Sequence, residues 1–217
     1  MTSSKLHRIL GAGGAIALAA GMAATLGMGA AQAESISSDE IDASSITFTR
    51  TVAGDAVVNG EVTTGDEIQI TNTINRKLLW LVYSAQDNHP TCIEAVPNTS
   101  AWTVGGKTYS NSGDTEDGTI QKPDEVTTGE GWAKIDAAGI SSWEATPLTW
   151  TQTYTVNCDP GTLNTGGLQS DSTGGKDNKA DVGPTITVKA KPVIPGPGGG
   201  DGAGSLGSLF SIFGSLS

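Results

Sequence analysis

His89 is the one histidine outside the N-terminal segment, so a catalytic triad would have to be built around it. Asp87 stands two residues before it and serines are plentiful, but no G-x-S-x-G nucleophile motif occurs. His89-Pro90, just before Cys92, is instead typical of a turn. We therefore predict a structural His89, no catalytic residue and no enzymatic activity, and keep a secreted hydrolase using His89 as the least favoured alternative.

Two kinds of ligand are excluded by motif and charge. Residues 101–108 (A-W-T-V-G-G-K-T) approach a phosphate-binding loop, but the first glycine is missing and no helical pattern follows. Gly105-Gly106 is better read as a hairpin turn between residues 102–104 and 108–109. With 23 acidic residues against 12 basic ones and a net charge of −11, the chain lacks the basic surface that nucleic acids require. We expect no nucleotide, no nucleic acid and no cofactor.

Two acidic, glycine-rich stretches raise the question of calcium, because Ca²⁺ binds clustered oxygen ligands. Neither stretch has the spacing of a known calcium loop, so we predict solvated loops and no metal site, with calcium binding as the open alternative. The residues concerned are Asp114, Glu116 and Asp117 before Gly118, and Asp171, Asp177, Asn178 and Asp181 around Gly174-Gly175.

Five tryptophans are many for 217 residues. Trp80 and Trp150 lie in strand patterns and are expected in the core, whereas Trp132 and Trp143 lie in the least regular part of the sequence. An exposed patch formed by Trp132 and Trp143, with nearby acidic loops, would suit a saccharide or another envelope ligand. This binding function is our alternative to a purely structural or interaction role.

The N-terminus has the parts of an export signal. Lys5 and Arg8 precede a long apolar run that ends in Ala31-Gln32-Ala33, a small-x-small cleavage site. We predict a signal peptide over residues 1–33, with an uncleaved membrane anchor as the alternative. In an exported chain the two cysteines, Cys92 and Cys158, are expected to form a disulfide, which would stabilise the fold by on the order of 4 kcal/mol.

The elements that must position these residues are β-strands. Period-two alternation of apolar residues with threonine or other polar residues marks four strands, at 45–52, 67–74, 148–158 and 184–191. The continuous apolar run at 78–83 predicts a central strand covered on both faces. Frequent Gly, Asn and Asp turn signals between such strands favour an all-β, antiparallel sandwich.

The sequence also resembles a known class of domain. Residues 62–68 (V-T-T-G-D-E-I) leading into T-N-T at 71–73 resemble the signature of conserved-repeat, immunoglobulin-like domains of bacterial surface proteins. The segments 87–92, 96–97, 102–104 and 163–167 resemble secreted versions from mycolic-acid-containing actinobacteria. The resemblance covers residues 45–192 and implies an extracellular Ig-like module with a structural or adhesive role and no chemistry.

Departures from the antibody pattern accompany this resemblance. Cys92 follows at least three predicted strands, and Val156 stands where a tyrosine corner would place Tyr, so the antibody strand order does not carry over. Some surface Ig-like domains carry a Lys–Asn or Lys–Asp crosslink, which would need a buried lysine. Lys77 and Lys134 lie near apolar runs, but the sequence does not single out either.

The C-terminal segment, 193–217, is predicted to be a Gly/Pro/Ser linker followed by an apolar Gly-Ser-Leu tail. Leu206, Leu209, Phe210 and Phe213 fall on one face of a possible helix, which could reach the envelope, touch a membrane peripherally or pair with copies of itself. A disordered tail is the alternative. With residues 34–44 as an N-terminal linker, we predict a secreted or envelope-surface module whose partner is an envelope component, a surface protein or itself.

Overall fold

A computed structural model describes residues 34–79, 81–113, 118–137, 143 and 147–192. This part of the chain is all-β, apart from a short 3-10 turn at Pro123–Glu125. Its strands are β1 Glu34–Ser37, β2 Ile41–Asp42, β3 Ile46–Gly54, β4 Glu61–Thr63, β5 Glu67–Arg76, β6 Val82–Asn88, β7 Ile93–Ala95, β8 Ala101–Val104, β9 Lys107–Ser110, β10 Thr119–Gln121, β11 Val126–Gly129, β12 Trp132–Asp136, β13 Leu148–Val156, β14 Gly161–Asn164, β15 Gly167–Ser172, β16 Gly175–Lys179 and β17 Thr185–Lys189.

These strands form three sheets within the described residues. A nine-stranded sheet has the order β1-β3-β5-β13-β8-β9-β10, with β2 added to β3 and β7 to β13. A five-stranded sheet has the order β11-β12-β6-β15-β16, and a three-stranded sheet has the order β14-β17-β4. Pairing is antiparallel except for β9 with β10 and β4 with β17, which are parallel.

Two apolar clusters fill the interior. One combines Phe48 and Trp150 of the nine-stranded sheet with Ala85 and Leu168 of the five-stranded sheet. The other combines Val52 and Tyr154 of the nine-stranded sheet with residues of the three-stranded sheet such as Val188. Buried and partly exposed residues alternate along β3 and β13, so every second side chain points to the same face of the large sheet. That face contributes residues to both clusters.

The four strands predicted from alternation are confirmed as β3, β5, β13 and β17, with ends that differ by at most two residues. The predicted hairpin is confirmed as β8 and β9. Its turn, Gly105-Gly106, has φ values of 58° and 73°, a left-handed conformation that glycine adopts without steric cost. Residues 34–44, expected as a linker, contain β1 and β2, both paired with β3.

The disulfide prediction is confirmed. Cys92 and Cys158 are bonded, with their Cα atoms 4.8 Å apart and 66 positions between them in the chain. Cys158 is buried in the cluster beside Tyr154 and Val156. The bond therefore joins the end of β13 to the segment that follows β6.

The predicted central strand at 78–83 is wrong over most of its length. β6 begins only at Val82, and Leu78 and Leu79 are 63% and 88% exposed in the connection from β5. Trp80, expected in the core, lies outside the described residues. A continuous apolar run resembles a buried strand in sequence, but here its first residues lie beyond the last pairing of β5 and have no neighbouring strand to cover them.

The two ends of the large sheet can be told apart by the strands that begin or finish there. Glu34, the first residue of β1, pairs with Gly54, and β3 ends alongside the start of β5. Lys189, the last residue of β17, pairs with Thr63, shortly before β5 begins. Both β1 and β17 therefore meet the rest of the described chain at one end, which we term the terminal end. The opposite end, where β5 finishes at Arg76, is the distal end.

Candidate functional site

A buried polar layer crosses the interior between the two apolar clusters. Arg50 lies on β3 between Phe48 and Val52, facing inward, and is 0% exposed. Its guanidinium forms two hydrogen bonds to the Asp87 carboxylate of β6, one of them 3.1 Å from Nη2 to Oδ1. This is the bidentate geometry that makes Arg–carboxylate pairs strong.

The remaining polar groups of the layer complete this ion pair. Asn72 of β5 accepts a bond from Arg50 Nη1 at 3.1 Å and donates one to Asp87 at 2.9 Å. The carbonyl oxygen of Thr165 accepts a bond of 2.5 Å from Arg50 Nη2. A buried charge is tolerated only when paired and hydrogen-bonded, and both members of this pair are.

Two glycines follow Thr165 where the chain passes close to neighbouring backbone. A Cβ on Gly166 would lie 2.0 Å from the carbonyl oxygen of Asn88, and one on Gly167 would lie 1.8 Å from that of Lys179. No other residue type fits such contacts without moving the backbone. Gly166 and Gly167 therefore let the segment that carries the Thr165 carbonyl pack against the backbone of Asn88 and Lys179.

His89 belongs to this layer and is 7% exposed. Its Nδ1 is 2.9 Å from Asp87 Oδ1, and its ring meets that of Tyr154 edge-on, with centroids 4.8 Å apart. Within the described residues, Asp87 is the only side chain hydrogen-bonded to it, so no serine hydroxyl is positioned as a nucleophile there. The Asp-His pair anticipated for a hydrolase forms, but it lies inside the protein and faces Arg50.

The pKa values of this layer follow from its charges. Burial alone would raise the pKa of Asp87, but the Arg50 charge and the hydrogen bonds from His89 and Arg50 outweigh burial, and the pKa is lowered. Burial and the nearby Asp87 charge raise the pKa of the Tyr154 hydroxyl well above its usual value. Asp87 is therefore ionised and Tyr154 neutral near pH 7.

The tryptophans proposed as an exposed patch do not form one. Trp143 is 7% exposed and belongs to the core cluster, where it forms an isolated bridge with Val82. This corrects the prediction for Trp143, because its bridge to β6 carries it into the interior. Trp150 is buried as expected and donates a bond of 2.7 Å to Ser100.

Trp132 is only partly buried and stays accessible. It pairs with Gly129 across the β11–β12 hairpin, and a Cβ on Gly129 would lie 2.5 Å from the indole atoms Cε2 and Nε1. The ring therefore lies directly over Gly129. Beside it is an open cleft of about 390 Å³, lined by Thr91, Ile93, Glu94, Ala95, Thr128, Gly129, Glu130 and Gly131.

The acidic stretches do not assemble a metal site in the part of the chain that the structure describes, where no group of three or more His, Cys, Asp or Glu side chains converges. Asp177 instead accepts hydrogen bonds from the backbone N–H groups of Ser44 and Ser45, at 2.9 and 3.0 Å. Burial would raise the pKa of Asp177, but a hydrogen bond from the Ser45 hydroxyl, together with these backbone bonds, lowers the pKa overall. Asp114, Glu116 and Asp117 lie outside the described residues.

Lys77 and Lys134, the lysines weighed for a covalent crosslink, are about a third exposed. They pair with Asp42 at 2.5 Å and with Asp136 at 2.7 Å. The cation that is buried beside Asn72 and Asp87 is Arg50, not one of these lysines. Its guanidinium forms hydrogen bonds to both residues.

The distal end carries the most exposed apolar residues of the described chain, Leu78 and Leu79. The stem of their loop is fixed on both sides. The Lys77 N–H donates to the Ser45 carbonyl at 3.1 Å, and Leu81 and Thr173 exchange two hydrogen bonds of 3.0 Å. We term the segment Leu78–Leu79 the distal tip. Sequence reasoning missed it because the same residues were assigned to a buried strand.

The predicted signal peptide, 1–33, and the tail residues Leu206, Leu209, Phe210 and Phe213 lie outside the described residues. Among the residues described, no helix is long and apolar enough to cross a membrane.

Comparisons with known proteins show weak similarity in structure and none in sequence. No family model matches the chain, and no curated protein matches it. Among solved structures, it is similar to a cohesin module from a Clostridium perfringens family 33 glycoside hydrolase, with a TM-score of 0.36 and 14% identity. The match covers 62% of this chain and 93% of the module. A similarity at this level assigns neither a family nor a function.

Proposed function

We propose that this protein is an exported, non-catalytic, Ig-like β-sandwich that works in or on the cell envelope as an interaction module, with the distal tip as its contact region. The observation that carries the proposal is the exposure of Leu78 and Leu79 on a fixed loop. Exposed apolar patches on otherwise polar proteins mark interaction sites. The Cys92–Cys158 disulfide supports an oxidising, extracellular compartment.

The position of the tip supports this role. β1 begins and β17 finishes at the terminal end, so a chain held through its C-terminal tail would present the tip away from the point of attachment. Ig-like modules commonly bind partners through loops at one end of the sandwich.

The use of His89 supports a non-catalytic protein. The only histidine of the predicted mature chain is buried and committed to Asp87, which also neutralises Arg50. Withdrawing Asp87 for general-base chemistry would leave a buried guanidinium unpaired.

Cell fractionation tests the proposal. The full chain and the double variant Leu78→Ser/Leu79→Ser are expressed in the native host, and the mature protein is quantified in envelope and medium. A matched control, Val58→Ser/Ile120→Ser, removes two other exposed aliphatic side chains, 54% and 39% exposed. We expect the tip variant in the medium and the control in the envelope. Retention of the tip variant in the envelope would overturn the role of the tip.

A second variant, lacking residues 202–217, separates the tip from the tail. If deletion releases the protein and the tip variant does not, envelope association resides in the tail, including Leu206, Leu209, Phe210 and Phe213, and the tip is not the contact region. If only the tip variant is released, the tail is a dispensable spacer.

A second candidate function is saccharide binding beside Trp132, supported by its accessible indole next to the cleft of Glu94 and Glu130. Partly exposed aromatic rings can stack on sugars, and carboxylates accept bonds from their hydroxyl groups. Retarded migration in native gels containing dextran, galactan or arabinan tests it. Binding that disappears in Trp132→Ala but persists in Val58→Ser would support it; equal mobility in all gels would dismiss it.

A further inference from the structure

At the distal tip two exposed leucines directly follow two basic residues, one of which, Lys77, is ion-paired with Asp42, in a chain that is otherwise strongly acidic. Arg76 and Lys77 immediately precede Leu78 and Leu79, and no acidic residue occurs from 76 to 81, although acids outnumber bases 23 to 12 overall. Lys77 contacts Asp42, which anchors its side chain beside the tip. Basic residues bordering exposed leucines are the pattern of segments that lie at a lipid surface.

The shape of the tip favours a soft partner over a folded protein. Leu78 and Leu79 project from a turn with 63% and 88% of their surface exposed. A stable protein–protein interface buries about 800 Å² on each partner and involves about 20–30 residues a side, far more than two leucines supply. A lipid layer, in contrast, closes around a small convex group and needs no complementary pocket.

The surroundings of the tip suit insertion to a shallow depth. The bonds of Lys77 to Ser45 and of Leu81 to Thr173 hold the chain on both sides of the tip. Tyr83, on the outward side of β6 just below the tip, is 39% exposed. Tyrosine is enriched at the headgroup level of membranes, where its ring is apolar and its hydroxyl hydrated.

We propose that the partner of the distal tip is a lipid layer, into which Leu78 and Leu79 insert while Tyr83, Arg76 and Lys77 lie at the level of the headgroups. This inference rests on the proposed function, because it names the chemistry of the partner at the same surface. Binding by two aliphatic side chains is weak and reversible, so it adds to any contact made elsewhere in the chain.

Vesicle flotation tests the inference on the full mature chain. The probes are vesicles of phosphatidylcholine alone and with one-quarter phosphatidylglycerol. With lipid in large excess, we expect a measurable fraction of the wild type to float with both, and Leu78→Ser/Leu79→Ser to partition at least about tenfold less, because the lost contact is apolar burial. The matched control Val58→Ser/Ile120→Ser is expected to float like the wild type, and both variants to melt within a few degrees of it.

The outcomes separate the inference from the function on which it rests. A wild type that does not float, or a tip variant that floats as well as the wild type, overturns lipid insertion by the tip. If in addition the tip variant leaves the envelope in cells, the contact region stands and its partner is not lipid. If the tip variant stays in the envelope, the proposed contact region itself is wrong.

Discussion

The interior of this protein buries charge, whereas its distal end exposes leucine. Arg50 and His89 are nearly inaccessible and both bond the buried Asp87, while Leu78 and Leu79 are largely exposed to solvent. Residue type alone would assign the opposite roles, with the polar group as a site and the leucines as core.

The difference lies in whether the fold itself supplies partners for the buried carboxylate and for the exposed leucines. Asp87 has partners on Arg50, Asn72 and His89, so its charge is compensated inside the protein, while Arg50 Nε, His89 Nε2 and the Tyr154 hydroxyl have no hydrogen-bond partner among the described residues. The tip loses no hydrogen bond by being exposed, but its apolar surface stays in contact with water. A partner that covers the tip removes this unfavourable contact. We therefore assign a structural role to the layer and a binding role to the tip.

The largest expected effect comes from breaking the polar layer. Asp87→Ala leaves the Arg50 guanidinium buried and unpaired, which should lower the free energy of unfolding by about 3–5 kcal/mol. For a chain of this size that corresponds to a fall in Tm of roughly 6–20 °C. Calorimetry measures it, and Arg50→Met/Asp87→Leu, which removes both charges, should recover most of the loss. A change below about 1 kcal/mol in Asp87→Ala would contradict a stabilising layer.

The second largest effect is expected from removing the disulfide, which constrains the terminal end of the sheet and not the distal end. Cys92→Ser/Cys158→Ser should lower the free energy of unfolding by up to about 4 kcal/mol, mainly by releasing a constraint on the unfolded chain. Urea titrations of wild type and variant, with and without reductant, measure the effect. An identical midpoint for oxidised wild type and variant would show that the bond adds nothing.

A pair of identical substitutions sharpens the comparison between core and tip. Leu148 is 1% exposed and Leu79 is 88% exposed. Leu148→Ala should cost about 2–5 kcal/mol through lost burial and a cavity, whereas Leu79→Ala should stay within about 0.5 kcal/mol. Denaturation midpoints of the two variants decide it, and a similar cost for both would place Leu79 in a packed environment.

The smallest expected effect is a loss of stability at acidic pH. The folded-state pKa values of Asp87 and Asp177 are lowered, so their contribution to stability is fully present above the unfolded pKa near about 3.9 and is lost as the pH falls through the folded values. Tm should therefore drop between about pH 5 and pH 2. Asp177→Asn should drop less steeply than the wild type, and equal slopes would remove Asp177 from this account.

Much of the fold was accessible from the sequence because period-two alternation reports a half-buried strand directly. The same alternation placed Arg50 on the inward side of β3, between Phe48 and Val52, and this was the signal for a buried charge that the apolar pattern concealed. Its partner Asp87 lies 37 positions away, a distance over which sequence pattern carries no information.

The tip and Trp143 show the limits of apolar patterns. A run such as that from Leu78 to Val82 has the same appearance whether a neighbouring strand covers it or not, and only strand pairing decides. Trp143 lies in an irregular stretch, yet its single bridge to Val82 buries it. Local sequence spacing encodes neither the strand pairing that would cover the tip nor the bridge that buries Trp143.

Site-specific photocrosslinking in intact cells tests the central claim most directly. A benzophenone amino acid replaces Leu79 in one variant and Val58 in a matched one, and adducts are identified by mass spectrometry after irradiation. We expect lipid adducts at position 79 and none at position 58. Lipid adducts at both positions, or at neither, would contradict a lipid-binding distal tip.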